Sequence, residues 1–234
     1  MAIEGELLSG IQELQQASDL DIAIRDFSTR SHLGPHLVRL AAADMACDTL
    51  WEQNATVITG NLQTDTYQEG LLRAIGFDPQ EPGLKAAQQL RVERRALLDK
   101  PGRNTVLVLG EGALRGNVGG PGIMAEQLGY LLDRASELGE DKLDIHVAPF
   151  KYGPTVLGNA HMALKRETAD GTPAPFLAYE ELPMYMDREN CSIVPAENLG
   201  LMARTLQGAY DRALPYEDSL RMIREIRHEY LRAI

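Results

Sequence analysis

The stretch Asn104 to Leu132 constrains this chain more than any other, because an apolar run (Asn104 to Leu109) leads through a glycine-rich segment into Gly119-Gly120-Pro121 and then LRGNVGGPGIMAEQLGYLL completes a helical pattern. Two glycines before a proline supply a tight turn with positive φ, and proline suits the first turn of a helix. Ile123, Met124, Leu128, Leu131 and Leu132 recur at helical spacing. A strand, a turn and a core-facing helix over about Gly122 to Leu138 are therefore expected.

The glycines of Gly110-Glu111-Gly112-Ala113-Leu114-Arg115-Gly116 follow a strand, as in a dinucleotide-binding loop, but the last comes one residue too late for G-x-G-x-x-G. Glu111 would repel a pyrophosphate, so loop geometry is the better account. Gly119-Gly120 likewise reads as a turn, with Arg115 the lone basic residue beside it.

The rest of the pattern is helix, sheet, helix. Ile3, Leu7, Ile11 and Leu14 predict an amphipathic N-terminal helix, and Pro35 opens a helix from about His36 to Trp51. A connector over Ala55 to Leu62 leads to Thr64, which is placed to cap a helix through Ala74. A further helix over Leu84 to Leu98 ends at Lys100-Pro101-Gly102. Leu143 to Ala148, Asn159 to Arg166, Phe176 to Glu180 and Met184 to Val194 read as strands, and their close succession favours antiparallel pairing. Helices over Ala196 to Arg212 and Tyr216 to Tyr230 close the chain, separated by Pro215. Together these predict an α+β fold: a mainly antiparallel sheet of about four or five strands flanked by helices, with helical N- and C-terminal segments. Residues 1–34 form a helix and linker, and 35–234 one domain.

A formal net charge of −11 opposes general binding to a phosphate backbone. Cys47 and Cys191 are far apart and in no metal-binding pattern, which fits buried thiols in a reducing cytoplasm. No run approaches the roughly 18 apolar residues of a membrane span. The five histidines (His32, His36, His146, His161, His228) include no H-E-x-x-H, and no G-x-S-x-G elbow is present. No metal or cofactor is called for. On consecutive strands, His146 and His161 can be neighbours near Tyr152 and Tyr179; with Glu180 or Glu181 they would supply acid/base groups. The last helix interleaves Arg221, Arg224 and Arg227 with Glu217, Glu225 and Glu229, as on a solvated, ion-paired face. Its apolar side, with Leu220, Ile223 and Ile226, is core or dimer seam.

Six segments, in order, carry a resemblance. Gly60-Asn61-Leu62-Gln63-Thr64-Asp65-Thr66-Tyr67 resembles a Gly-Leu-Leu-Gln-Thr-x-x-Tyr signature, and Arg91 to Leu98 an Arg-rich helix. Glu111 to Leu132 resembles Glu-x-x-Leu-Arg-x-x-Val-Gly-Gly-x-x-x-Met-x-x-Gln-Leu, and Ile145 to Gly153 a Val-x-Pro-Phe-x-x-Gly strand end. Tyr179-Glu180 and Ala213 to Glu225 complete the set. The pattern is similar to the domain that follows the helix-turn-helix in actinomycete XRE-type, antitoxin-like transcriptional regulators. It implies a non-enzymatic sensing domain that pairs with a small toxin-like protein or a small-molecule ligand. Gln63, Tyr67, Arg91, Arg115, Gln127 and Phe150 are the ligand- or partner-binding residues so implied.

The chain departs from that pattern. Only 34 residues precede Pro35, where such regulators carry a longer helix-turn-helix, so direct nucleic acid binding is not expected. Thr59 and Asn61 stand where the pattern has Pro and Leu, Arg95 where it has Gln, and Leu40-Ala41-Ala42-Ala43-Asp44 where it has the acidic Leu-Glu-x-Glu-Ala. These changes fall on polar positions that can face a ligand or partner. A homodimer through the N-terminal helix is expected. The alternative is a repurposed, cofactor-independent enzyme of specialised metabolism, a cyclase, lyase or isomerase using His146, Tyr152, His161, Tyr179 and Glu180 around an apolar pocket.

Overall fold

A computed structural model describes residues 43–80, 88, 91–154, 156, 158–165, 174–180 and 194–234. The expected N-terminal helix, its proposed dimer seam, Cys191, Glu181 and positions 184–193 of the last expected strand lie outside the described residues.

Five strands form one sheet: β1 (Thr49–Asn54), β2 (Asn104–Gly110), β3 (Leu143–Ala148), β4 (Ala160–Lys165) and β5 (Ala174–Glu180). Their order is β3-β2-β1-β4-β5. The fold is α+β as expected, but the sheet is mixed: β1 and β2, and β2 and β3, pair parallel, whereas β1 with β4 and β4 with β5 are antiparallel. The parallel half arises because helical segments separate β1, β2 and β3. Such connections are long enough to return the chain in the same direction.

β1 is the largest correction to the sequence reading. Residues 43–46 are helical, but Thr49 to Trp51, expected at the end of that helix, begin a strand. Thr and Trp favour the pleated backbone, and β1 is covered on both faces. Central strands covered on both faces lose the alternation that would reveal them.

The helices lie as their apolar positions require. On one face of the sheet α1 (Asp65–Ala74), α3 (Pro121–Leu138) and α5 (Tyr216–Leu231) enclose Leu107, Leu109, Leu143, Ile145 and Val147 together with Leu128, Leu131 and Ile223. A smaller cluster of Ala43, Cys47, Leu50 and Ala163 occupies another part of that face. On the opposite face α4 (Leu199–Tyr210) packs Leu199, Met202 and Leu206 on Met162, Leu164 and Ala178. Burial pushes the Cys47 thiol up to about 12, so it stays protonated.

The turn before α3 forms as expected, with Gly119 at φ +67° and Gly120 at +98°, then Pro121 in the first turn. Gly110 and Gly112 have a packing role. A Cβ on Gly110 would lie 2.8 Å from the Ala55 carbonyl oxygen, and one on Gly112 2.9 Å from it. The end of β2 and the short helix α2 (Glu111–Arg115) are thereby packed against the chain leaving β1. Gly110→Ala is expected to cost about 1–3 kcal/mol through this backbone clash, read from the urea midpoint.

Candidate functional site

Register across the sheet leads to the most unusual chemistry. One row reads Ile145, Leu107, Glu52, His161, Tyr179 from β3 to β5. It is apolar over β3 and β2, then becomes ionisable on the central strand. Glu52 is wholly buried (0% exposed) and His161 nearly so (4%).

Within the cluster His161 Nδ1 lies 2.6 Å from Glu52 Oε1, and Asn61 Nδ2 donates to the same oxygen at 3.2 Å. The Tyr179 ring packs on His161, with 5.5 Å between centroids. Burial opposes the charge on Glu52, yet His161 beside it, the bond between them, Arg94 and the nearby Thr59 hydroxyl hold its pKa below the ordinary value. Glu52 is therefore an ionised carboxylate in the interior. Its contribution to stability is present above the unfolded pKa and lost as pH falls through the depressed folded one.

Local sequence explains how the cluster is roofed. Thr59 to Gln63 folds inward, with Gly60–Leu62 a 3-10 turn and Thr59, Asn61 and Gln63 all buried. Gln63 Nε2 donates to the Ile58 carbonyl at 2.7 Å, and the Tyr67 hydroxyl accepts from the Ile58 N–H at 3.1 Å. Gln127, from α3, donates through Nε2 to the Leu62 carbonyl and accepts through Oε1 from the Thr64 N–H, both at 2.7 Å. Thr64 caps α1 by accepting from the Tyr67 N–H at 3.2 Å, as its sequence position suggests.

The basic helix, seen over residues 91–96, closes the other side. Arg94 Nε meets Asp44 Oδ2 at 2.5 Å, both residues buried. Arg95 donates to the Gln63 carbonyl at 2.6 Å, and the half-buried Arg91 lies against Gly60, whose Cβ would be 3.5 Å from its Nε. Arg103 donates to the Asp44 carbonyl.

The oxygens Glu52 Oε2, Thr59 Oγ1 and Asn61 Oδ1 are among the buried atoms without a hydrogen bond of normal geometry to the described residues, although the Thr59 hydroxyl lies close enough to Glu52 to favour its charge. Leaving such acceptors buried without donors is costly. All three belong to side chains no more than 1% exposed.

The residues singled out from sequence therefore separate. His161 and Tyr179 come together. His146 does not join them, because it lies two strands beyond β1 and on the opposite face, paired with Val108 in the row that contains Gln53. Glu180 alternates onto that opposite face and is exposed. Tyr152 is 49% exposed in the turn after β3, beside Lys151. No shared pocket of His146 and His161 exists, since consecutive strands in the chain are not neighbours in this sheet. Of the residues implied by resemblance, Gln63, Tyr67 and Gln127 point inward, and their hydrogen bonds hold the loop. Arg115 is partly exposed and bridges Glu111 at 2.7 Å and Glu229 at 2.6 Å; Phe150 is 64% exposed. Glu52, Asp44 and Arg94 were missed. Glu52 is the one charged residue of Thr49–Asn54, which was the available signal for the first.

His146 has a different task. Its Nδ1 faces the Leu214 carbonyl at 2.8 Å and its Nε2 faces Asp144 Oδ1 at 2.6 Å. Two acceptors require two N–H donors, which only the imidazolium provides. The Tyr210 ring packs against it at a tilt, with 4.3 Å between centroids, and its hydroxyl donates to Asp144 Oδ2 at 3.2 Å. Burial works against the charge, but Asp144, the Leu214 carbonyl and Glu140 outweigh it and raise the pKa. The stabilisation is complete below the unfolded value and is lost as pH rises through the raised folded value. Urea midpoints are thus expected to fall as pH is taken upward from about 6.5, and His146→Gln to flatten that fall.

Other features are less organised. An open groove of about 550 Å³ runs along the end of α5, lined by Glu225, His228, Glu229, Leu231 and Arg232. Among the described residues no group of three or more His, Cys, Asp or Glu is arranged to hold a metal, and no helix is long and apolar enough to cross a membrane.

Comparison with known proteins adds one match. The family model described as a domain of unknown function, DUF5753, matches residues 37–225. No curated protein and no solved structure matches the chain.

Proposed function

Since the chain belongs to the DUF5753 family, a domain of unknown function, we propose from its own geometry that it is a ligand-sensing domain whose site is the Glu52–Asn61–His161 cluster. In this reading it works as the regulatory half of actinomycete XRE-type, antitoxin-like regulators works, without binding DNA itself. One observation carries the proposal: an ionised carboxylate, an imidazole and an amide occupy the middle of a core face, with acceptor oxygens left over. A fold needing only stability gains little from such a group, because apolar residues of similar volume often serve as well or better.

Two of the motif departures, Thr59 and Asn61, lie beside Glu52. That placement supports a site whose chemistry is particular to this chain. The loop 59–63 is also the natural transmitter, since it is tied to α1, α3 and the basic helix at once. The outward-facing Phe150 and Arg115 would then serve a small protein partner.

The test is a thermal-shift titration with a cytoplasmic small-molecule extract, comparing the protein with Asn61→Leu. Ligand binding to the folded state raises the midpoint. A rise in the parent protein that Asn61→Leu lacks supports the reading, and equal rises in both overturn it.

The Glu52–His161 geometry favours a second reading. A carboxylate on Nδ1 orients an imidazole for proton transfer through Nε2. A cofactor-independent lyase, cyclase or isomerase would use His161 as base, Glu52 to orient it and Tyr179 beside it. Turnover of an extracted ligand by the parent protein, absent in His161→Gln, would select this reading.

A further inference from the structure

The polar network around His146 does more than stabilise β3. We infer that His146 is a proton-operated latch: as the imidazolium it fastens residues 211–215, the link between α4 and α5, to the edge of the sheet, and on losing its proton it lets that link go. The geometry at Leu214 carries this. Its N–H donates to the Val147 carbonyl at 2.8 Å, and its own carbonyl accepts from His146 Nδ1 at 2.8 Å and from the Ser219 hydroxyl at 3.0 Å. One residue joins β3, the link and the first turn of α5.

A neutral imidazole has a single N–H and cannot serve two acceptors. Because Asp144 is the charged partner, its bond to Nε2 at 2.6 Å is the one retained, and the Nδ1 lone pair then faces the Leu214 carbonyl. Repulsion replaces a hydrogen bond there. Residues 211–215 are exposed or half-buried throughout: Ala213 edges a small cluster of Val108, Ala148 and Ala209, and Leu214 touches the main core from its margin. Segments with so little buried apolar surface open locally at low cost, so one polar contact governs this one. α4 ends at Tyr210, whose ring lies against His146, and its last turn loosens with the link.

The groups around the ring keep the latch shut near neutrality. Asp144 from β3 and Glu140 from the turn before it favour the charged ring and outweigh its burial. From α4 come the Tyr210 hydroxyl and Asp211 next to it; from α5 come Tyr216, Glu217 and Arg224; from β1, Trp51 packs on Tyr210. Release therefore runs upward in pH, from a closed state at about 6.5.

Two signals from the full chain test the latch between about pH 6 and about pH 9: the His146 ring nitrogens by NMR, and amide exchange at Leu214 set against Val108 in β2. After correction for the ordinary acceleration of exchange with pH, protection of Leu214 should fall about tenfold through the His146 titration while that of Val108 holds. The neutral ring should keep its proton on Nε2. In His146→Gln, which has no proton to lose, protection of Leu214 should be low and independent of pH. Constant protection at Leu214, an equal fall at Val108, or the parent's pH dependence retained in His146→Gln overturns the inference. So does a ring neutral across the whole range, or one that keeps its last proton on Nδ1 and so stays bonded to Leu214. If His146→Gln does not fold, coincidence of the two signals in the parent protein still decides the matter.

Discussion

His161→Ala is expected to lower the folding free energy by about 3–5 kcal/mol, because it leaves Glu52 ionised and buried without its main counter-group. Few single changes in this chain should cost more. Glu52 has Asn61 as a remaining donor, but a neutral amide at 3.2 Å replaces little of an imidazole at 2.6 Å. Part of the loss returns if Glu52 takes up a proton, so the deficit should shrink as pH falls. The triple variant Glu52→Leu/Asn61→Leu/His161→Leu should behave differently, since it removes the polar groups together and leaves Leu107 with apolar neighbours in its row. Replacement of a buried charged set by apolar residues is commonly neutral or stabilising by about 1–4 kcal/mol. A large loss in the single variant and none in the triple would separate the cost of breaking the cluster from the value of having it.

Gln127→Leu is the second large effect, expected at about 2–4 kcal/mol in urea unfolding. Gln127 is 0% exposed and uses both ends of its amide, on the Leu62 carbonyl and the Thr64 N–H. Leucine fills the space but orphans two backbone groups at the point where the loop enters α1. The consequence reaches the site. The same loop carries Thr59 and Asn61, so the variant should also lose ligand-dependent stabilisation while keeping Glu52 and His161. Gln127→Glu is a useful companion, since a carboxylate can accept from Thr64 but cannot donate to Leu62 when ionised. An intermediate loss that lessens at low pH is expected.

Particular residues show how far the sequence carries. Pro121 and the two glycines before it mark α3 unambiguously, because proline and positive φ act locally. Thr64 as a cap and Leu143 to Ala148 as a strand are legible for the same reason. β1 is not, since Thr49 to Asn54 follows a helical pattern and is covered on both faces. Once β1 is missed, the parallel half of the sheet is missed too, and His146 is placed beside His161 instead of across the sheet from it. The site was half visible. Thr59 and Asn61 stand out as polar departures in a motif, whereas Glu52 becomes informative only when β1 and β4 set it opposite His161. Gln63, Tyr67 and Gln127 mark the right loop, but their hydrogen bonds run to backbone, a distinction that spacing alone does not make.

The most direct measurement is the equilibrium unfolding of the triple leucine variant with and without the small-molecule extract. The account predicts a protein at least as stable as the parent without extract, and no gain in midpoint when extract is added, where the parent gains. A variant as unstable as His161→Ala, or one that still responds to the extract, would contradict it.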